Sequence, residues 1–238
     1  SFNAVPYALS APTSDDILSR LDEIESLIDS IYLFGCLDSS ACNYDVNHIY
    51  NDYLCAYSEH GYDCFGNITE PYVGMEAYGG IIFFVDETGQ HGLVSALSDL
   101  DFRHQWGCNN TDLPGNDYMI NGSNYMNTNS SGMQNTSEIL DNCIGNTSAS
   151  IASNYLYNNY SDWYLPSIYE LDLMCNSIGP GSSLGNLGKF SEGSTEADKY
   201  WSSNWATSGV AYYYWFVGCG WGNTSKISSY RIRPIRYF

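Results

Sequence analysis

The 238-residue chain predicts an α+β protein in three parts: an N-terminal segment with an amphipathic helix (1–34), a small cysteine-rich module (35–70) and a larger α+β domain (71–238). Three observations predict this. Apolar residues recur at helical spacing between residues 13 and 33, four of the eight cysteines crowd into residues 36–64, and strand-length apolar runs alternate with a capped helix and turn-rich loops after residue 70.

In TSDDILSRLDEIESLIDSIYL, Ile17, Leu21, Ile24, Ile28 and Ile31 are spaced 4, 3, 4 and 3 apart, the seam of a coiled coil. Thr13 or Ser14 can cap this helix, and Asp15 and Asp16 sit where its dipole favours negative charge. With Leu21 and Ile28 at a and Ile17, Ile24 and Ile31 at d, the pattern favours three or four strands over two. The chain is therefore expected to bind itself as a trimer or higher oligomer. The alternative is that so short a helix packs on its own domain.

The module GCLDSSACNYDVNHIYNDYLCAYSEHGYDCFGN has too few apolar residues for a core and must be held by disulfides. It resembles a short secreted repeat of the form GCTDPxACNYDPxAxxDDGSCxY followed by GYDCxGN, which is common in large extracellular bacterial proteins. An EF-hand is excluded, because His48 replaces the turn glycine and Leu54 the bidentate glutamate. A looser calcium site could draw on Asp38, Asp45 and Asp52; solvated loop acids are the alternative.

In the third part, YGGIIFFVDETGQHGLVSAL reads as a hairpin with strands Ile81–Val85 and Gly92–Ala96. Residues 108–159 read as loops with one helix around Ser148–Tyr157. Ser167 and Glu170 form an S-x-x-E capping box that opens a helix through Ile178. Ala211–Val217 and RIRPIRYF supply the last strands.

The order GGIIFFVDETGQHGLV, DWYLPSIYELDLM, GKF, YWSSN, YYYWFV, YRIRPIRYF resembles the Lcl C-terminal domain family, within the C-type-lectin-like superfamily. The resemblance implies a C-type-lectin-like fold with a small twisted antiparallel sheet and a loop-rich face, non-catalytic and outside the cell. Cys175, Cys219 and the Asn-rich insertion depart from the family pattern.

Acidic residues outnumber basic ones 27 to 8, and the net charge of -19 repels phosphate backbones, so nucleic acid is not an expected partner. No apolar run is long enough to span a bilayer. The even cysteine count without CxxC pairs (Cys36, Cys42, Cys55, Cys64, Cys108, Cys143, Cys175, Cys219) predicts four disulfides in an oxidising compartment, the first four pairing among themselves and the last four likewise. Either set then has three connectivities. Sequons begin at Asn67, Asn109, Asn121, Asn129, Asn135, Asn146, Asn159 and Asn223, candidates for glycosylation. The expected location is extracellular, or a cell or virion surface, with a signal peptide already removed.

Catalytic patterns are sparse. The four histidines lack metal-ligand spacing, and no nucleophile elbow, P-loop or dinucleotide fingerprint occurs. A hydrolase needs only two carboxylates, but nothing singles out a pair; Asp162 and Glu170 read as a turn former and a cap. No cofactor is expected beyond the calcium option. Arg231, Arg233 and Arg236 are expected to pair with carboxylates such as Asp86 or Glu170.

The aromatic stretch YWSSNWATSGVAYYYWFVGCGWGNTS sets Tyr212, Tyr214 and Phe216 on one face of a strand and Tyr213, Trp215 and Val217 on the other. Burial on both sides within one domain is one reading. The other is ligand contact through Trp205, Tyr213, Trp215 and Trp221, with Trp205 and Trp221 on flanking loops. The expectation is a non-enzymatic structural or adhesion protein, a self-assembling subunit of a surface fibre, appendage or coat. The alternative is a receptor-binding or glycan-binding module that meets a glycan or surface protein.

Overall fold

Residues 13–32, 34–48, 50–51, 54–113, 132–193 and 195–238 are described in the computed structural model. Its contacts divide the chain into two units, residues 1–69 and 70–238.

In the first unit, Thr13 and Asp16 cap helix α1 (Ser14–Tyr32) reciprocally. The Thr13 backbone N–H and hydroxyl donate to Asp16 Oδ2 at 2.9 and 2.8 Å, and the Asp16 N–H donates to Thr13 Oγ1 at 3.3 Å. Those hydrogen bonds hold the Asp16 carboxyl below the usual range. Along the helix Ile17, Leu21 and Ile24 are 50, 49 and 50% exposed, and Leu18 and Leu27 are exposed too. The side chains of Ile28 and Ile31 lie outside the described residues.

The module is held by two interleaved disulfides, Cys36–Cys55 and Cys42–Cys64. Short strands β1 (Phe34–Gly35) and β2 (Tyr50–Asn51) pair in parallel. Asn43 ties the two halves together: its Nδ2 donates to the Leu54 carbonyl and its Oδ1 accepts from the Ala56 N–H, both at 2.8 Å. With little apolar area to bury, these covalent and polar links carry the fold.

The second unit holds a four-stranded antiparallel sheet in the order β11–β5–β4–β3, from β3 (Glu76–Ala77), β4 (Gly80–Val85), β5 (Gly92–Ser95) and β11 (Ile235–Tyr237). The expected hairpin is β4–β5, and Asp86 closes its turn by accepting from the Thr88 N–H at 3.0 Å and hydroxyl at 2.6 Å. Gly80 has to be glycine, because a Cβ there would stand 2.0 Å from the Ser95 carbonyl oxygen. A two-stranded pair joins β6 (His104–Gln105) to β10 (Ser229–Tyr230). The aromatic stretch forms an antiparallel meander of β7 (Lys199–Thr207), β8 (Val210–Trp215) and β9 (Gly220–Ser225).

Helices α2 (Gly132–Asn142), α3 (Ser148–Ser153) and α4 (Ile168–Ser177) complete the unit. Helix α4 starts at the expected box: the Glu170 N–H donates to Ser167 Oγ, and the Ser167 N–H to Glu170 Oε2 at 2.6 Å. Helix α2 lies in a stretch read as loop, because its sequence GMQNTSEILDN has few strong helix formers and tertiary packing makes up the difference. The helix expected over Ser148–Tyr157 ends at Ser153.

Two apolar clusters flank the aromatic meander. In one, Ile168, Leu171 and Met174 of α4 gather with Ile81, Phe83 and Leu93 of the larger sheet and Tyr200, Tyr214 and Phe216. In the other, Trp201, Trp205 and Ala211 pack with Trp106, Ile139 and Tyr230. The β7–β8 pair is thus buried on both faces over most of its length, as one of the two sequence readings held. Lys226 is fully buried with its Nζ 4.5 Å from the Trp106 ring centroid, and burial pushes its pKa down to about 8.

The arginines pair with carboxylates, but not with those named from sequence. Arg233 and Arg231 converge on Asp99, and Arg236 grips Asp162 with Nε and Nη2 at 2.7 and 2.9 Å. Asp86 is used by its own turn. Glu170 is fully buried and accepts from Ser167, from the Gly132 N–H at 3.1 Å and from the Tyr164 hydroxyl at 3.1 Å. Burial pushes its carboxyl up, against those hydrogen bonds.

Candidate functional site

At the Trp215 end of the meander, the face that carries Trp201 deeper in emerges from under the second cluster. Strand alternation sets Lys199 of β7 and Tyr213 and Trp215 of β8 on this face. The opposing β9 residues are Gly220, across from Trp215, and Gly222, across from Tyr213. With no side chains there, the two rings fold down over the third strand. A Cβ on Gly220 would lie 2.5 Å from the Trp215 ring, and one on Gly222 would lie 2.7 Å from the Tyr213 hydroxyl. The result is a groove of about 320 Å³ lined by Thr195, Lys199, Tyr213, Trp215 and Val217.

The rings of Tyr213 and Trp215 are 5.7 Å apart with planes 43° from each other, and Tyr230 meets Tyr213 edge-on at 5.2 Å. Lys199 Nζ stands 4.3 Å from the Tyr213 centroid and pairs with Glu196. Burial works against the Lys199 charge, yet the hydrogen bonds to Glu196 and Tyr213 prevail and its pKa stands above the ordinary value. Glu196 in turn is held low by Lys199 and by the Tyr230 hydroxyl, which donates at 2.5 Å. The groove therefore combines two half-buried ring faces with a cation held in place by Glu196 and with the Thr195 side chain. Such a surface stacks on apolar C–H faces and hydrogen-bonds hydroxyl groups; nothing in it is arranged as a nucleophile with its base.

The four aromatics named from sequence do not form one site. Tyr213 and Trp215 line the groove. Trp205 belongs to β7 rather than to a loop, is 2% exposed and packs 6.2 Å from Trp106, so it is core. Trp221 is a β9 residue rather than a loop residue. It pairs with Tyr214 and meets the Tyr212 ring edge-on at 5.9 Å, on the face opposite Tyr213. Sequence reasoning missed Thr195, Lys199, Glu196 and Val217 as neighbours of the groove. The alternating glycines of GWGNTS, placed opposite YYYW, were the signal that could have found it.

Two of the three calcium candidates, Asp38 and Asp45, are engaged in local hydrogen bonds. Asp38 accepts from Ser40 and from the Tyr57 hydroxyl at 2.7 Å, and Asp45 accepts from the Asn47 N–H and amide. Asp52 lies outside the described residues. Among those residues no group of three or more His, Cys, Asp or Glu side chains could hold a metal ion.

All eight cysteines are paired, the last four as Cys108–Cys143 and Cys175–Cys219. Of the sequon asparagines, Asn135 is 2% exposed and its amide donates to Ser203 Oγ at 3.1 Å, which leaves no room for a glycan. Asn67, Asn109, Asn146, Asn159 and Asn223 are exposed, and Asn67 also donates its amide to Asp63. Asn121 and Asn129 lie outside the described residues. No described helix is long and apolar enough to cross a membrane.

Fold and groove together define a class: a disulfide-bonded α+β protein with small antiparallel sheets and an aromatic groove at one end of the β7–β8–β9 meander. No protein-family model matches the chain, and no curated protein matches it. A solved fimbrial protein from Bacteroides ovatus is similar over 81% of this chain at 16% identity, with a TM-score of 0.45. The match takes in 50% of that protein, so the chain spans about half the length of the structure it is similar to.

Proposed function

We propose that this chain is a non-enzymatic extracellular structural or adhesion protein, a self-assembling subunit of a surface fibre, appendage or coat. Its 70–238 unit, which we read as C-type-lectin-like, is the part displayed. The observation that carries the reading is the half-exposed seam of Ile17, Leu21 and Ile24 along α1. A soluble chain covers a stripe of that kind by association. Four disulfides support a location in an oxidising compartment. Sedimentation of the full chain over a concentration series tests it: the native sequence is expected to associate, and Leu21→Ser with Ile24→Ser to remain monomeric. A native chain that stays monomeric at the highest concentration refutes the assembly reading.

The groove supports a second role, binding of a glycan at the displayed unit. Ring faces beside a lysine and the Thr195 hydroxyl suit a sugar, which is apolar on one face and rich in hydroxyls at its edge. Many weak heads on one assembly would add up to useful avidity. On a glycan array, Trp215→Ala and Tyr213→Ala are each expected to weaken a bound sugar about five- to thirtyfold, at about 1–2 kcal/mol per lost ring contact. Trp221→Ala, on the other face, is expected to leave it unchanged. Equal effects of all three substitutions would rule out the groove.

A further inference from the structure

Resting on the self-assembly reading, we propose that α1 associates with further copies of itself in parallel and in register, with Arg20 of one copy paired to Glu25 of the next. The register set by Leu21 at a and by Ile17 and Ile24 at d fixes every other position of the helix. Asp15, Asp22 and Asp29 fall at b, and Asp16 and Glu23 at c, the positions that point away from a bundle axis. Five of the six acids of α1 are thereby kept off the interface, although the helix carries a single basic residue.

The two remaining charges are placed differently. Arg20 occupies g and Glu25 occupies the following e, the positions that border the seam and form pairs between helices. In a parallel bundle the g residue of one helix faces the e residue five places later on its neighbour, and Arg20 and Glu25 are five apart. In an antiparallel bundle g faces g and e faces e. That arrangement sets Arg20 against Arg20 or Leu27, and Glu25 against Glu25 or Leu18, with no opposite charge in any combination.

Both groups are exposed, and among the described residues neither takes part in an ion pair. The acid one turn before Arg20 is Asp16, whose Oδ2 is already taken by Thr13. Five residues along a helix is also too far round the cylinder for Arg20 and Glu25 of one copy to face each other. The pair is complementary only between copies. Leu18 at e and Leu27 at g widen the apolar stripe beyond a two-stranded seam, in keeping with Leu at a and Ile at d, and favour three or more helices. Parallel packing places every cysteine-rich module at the same end of the bundle.

Charge exchange in the full chain tests this, read by sedimentation velocity, with circular dichroism to confirm that each variant is folded. Arg20→Glu alone and Glu25→Arg alone are each expected to raise the midpoint concentration of assembly roughly tenfold, because each sets like charges at every helix–helix contact. The double exchange is expected to return the midpoint to within about threefold of the native value, as restored pairing requires. Single variants that assemble like the native chain, or a double variant as weak as the singles, overturn the parallel pairing while leaving self-assembly in place. A native chain that never associates removes the assembly reading and this pairing with it.

Discussion

Asp99→Ala is expected to destabilise the 70–238 unit by about 3–5 kcal/mol, because it strips the counter-charge from a buried guanidinium. Arg233 is 1% exposed, and its Nε meets Asp99 Oδ1 at 2.8 Å and its Nη2 the same oxygen at 2.6 Å. Its remaining donors go to the carbonyls of Ala96 and Gly188, which can hydrogen-bond the cation but cannot neutralise it. The same carboxylate takes Arg231 at 3.1 Å and the Tyr200 hydroxyl at 2.9 Å, so one substitution unlinks three elements. Urea unfolding followed by tryptophan fluorescence measures the loss. A change below about 1 kcal/mol, the size usual for an exposed ion pair, would show that this network is not what anchors the C-terminal strand.

Removing Cys175–Cys219 by paired alanine substitution is expected to cost about 4 kcal/mol, from the loop entropy released by a 44-residue separation. Cys175 is fully buried among Leu171, Met174 and Phe216, so its loss also leaves a small void against α4. The bridge fastens α4 to the turn between β8 and β9, which carries one wall of the aromatic groove. Thermal unfolding under oxidising conditions should therefore show a markedly lower midpoint for the variant. An unchanged midpoint would mean that packing of α4 alone fixes the turn.

Separate parts of the molecule bear on its two proposed roles. The acidic, half-exposed helix bears on assembly, and the groove at the end of the meander bears on contact with a ligand. Disulfides hold both units. In the module they replace a core, and in the larger unit they pin loops to one. The groove owes its form to Gly220 and Gly222, since any side chain there would lift Trp215 or Tyr213 off the sheet.

What was legible in the sequence was what neighbours along the chain decide. Thr13 with Asp16, and Ser167 with Glu170, start helices through contacts three residues apart. The β4–β5 hairpin follows from two apolar runs around a turn that Asp86 closes. The apolar stripe of α1 is a matter of spacing alone, and so are the places of Arg20 and Glu25 beside it. A count of cysteines sufficed to expect four bridges, but not to choose among their connectivities.

Tertiary structure decided which aromatics are core and which are surface. Trp205 and Trp215 looked alike in sequence. Both lie on the face of the meander that carries Trp201, but Trp205 sits under the second cluster, while Trp215 reaches the open end of the sheet. The partners of the arginines were equally hidden, because Asp99 lies more than 130 residues from Arg231 and Arg233. Asn135 carried a sequon that only the packing of α2 on Ser203 disqualifies. The sequence by itself thus determined the apolar stripe of the helix, the caps, the hairpin and the disulfide class, because those depend on contacts a few residues apart or on composition. Burial, ion-pair choice and the groove waited for the fold, because each depends on strand register and on groups brought together from distant parts of the chain.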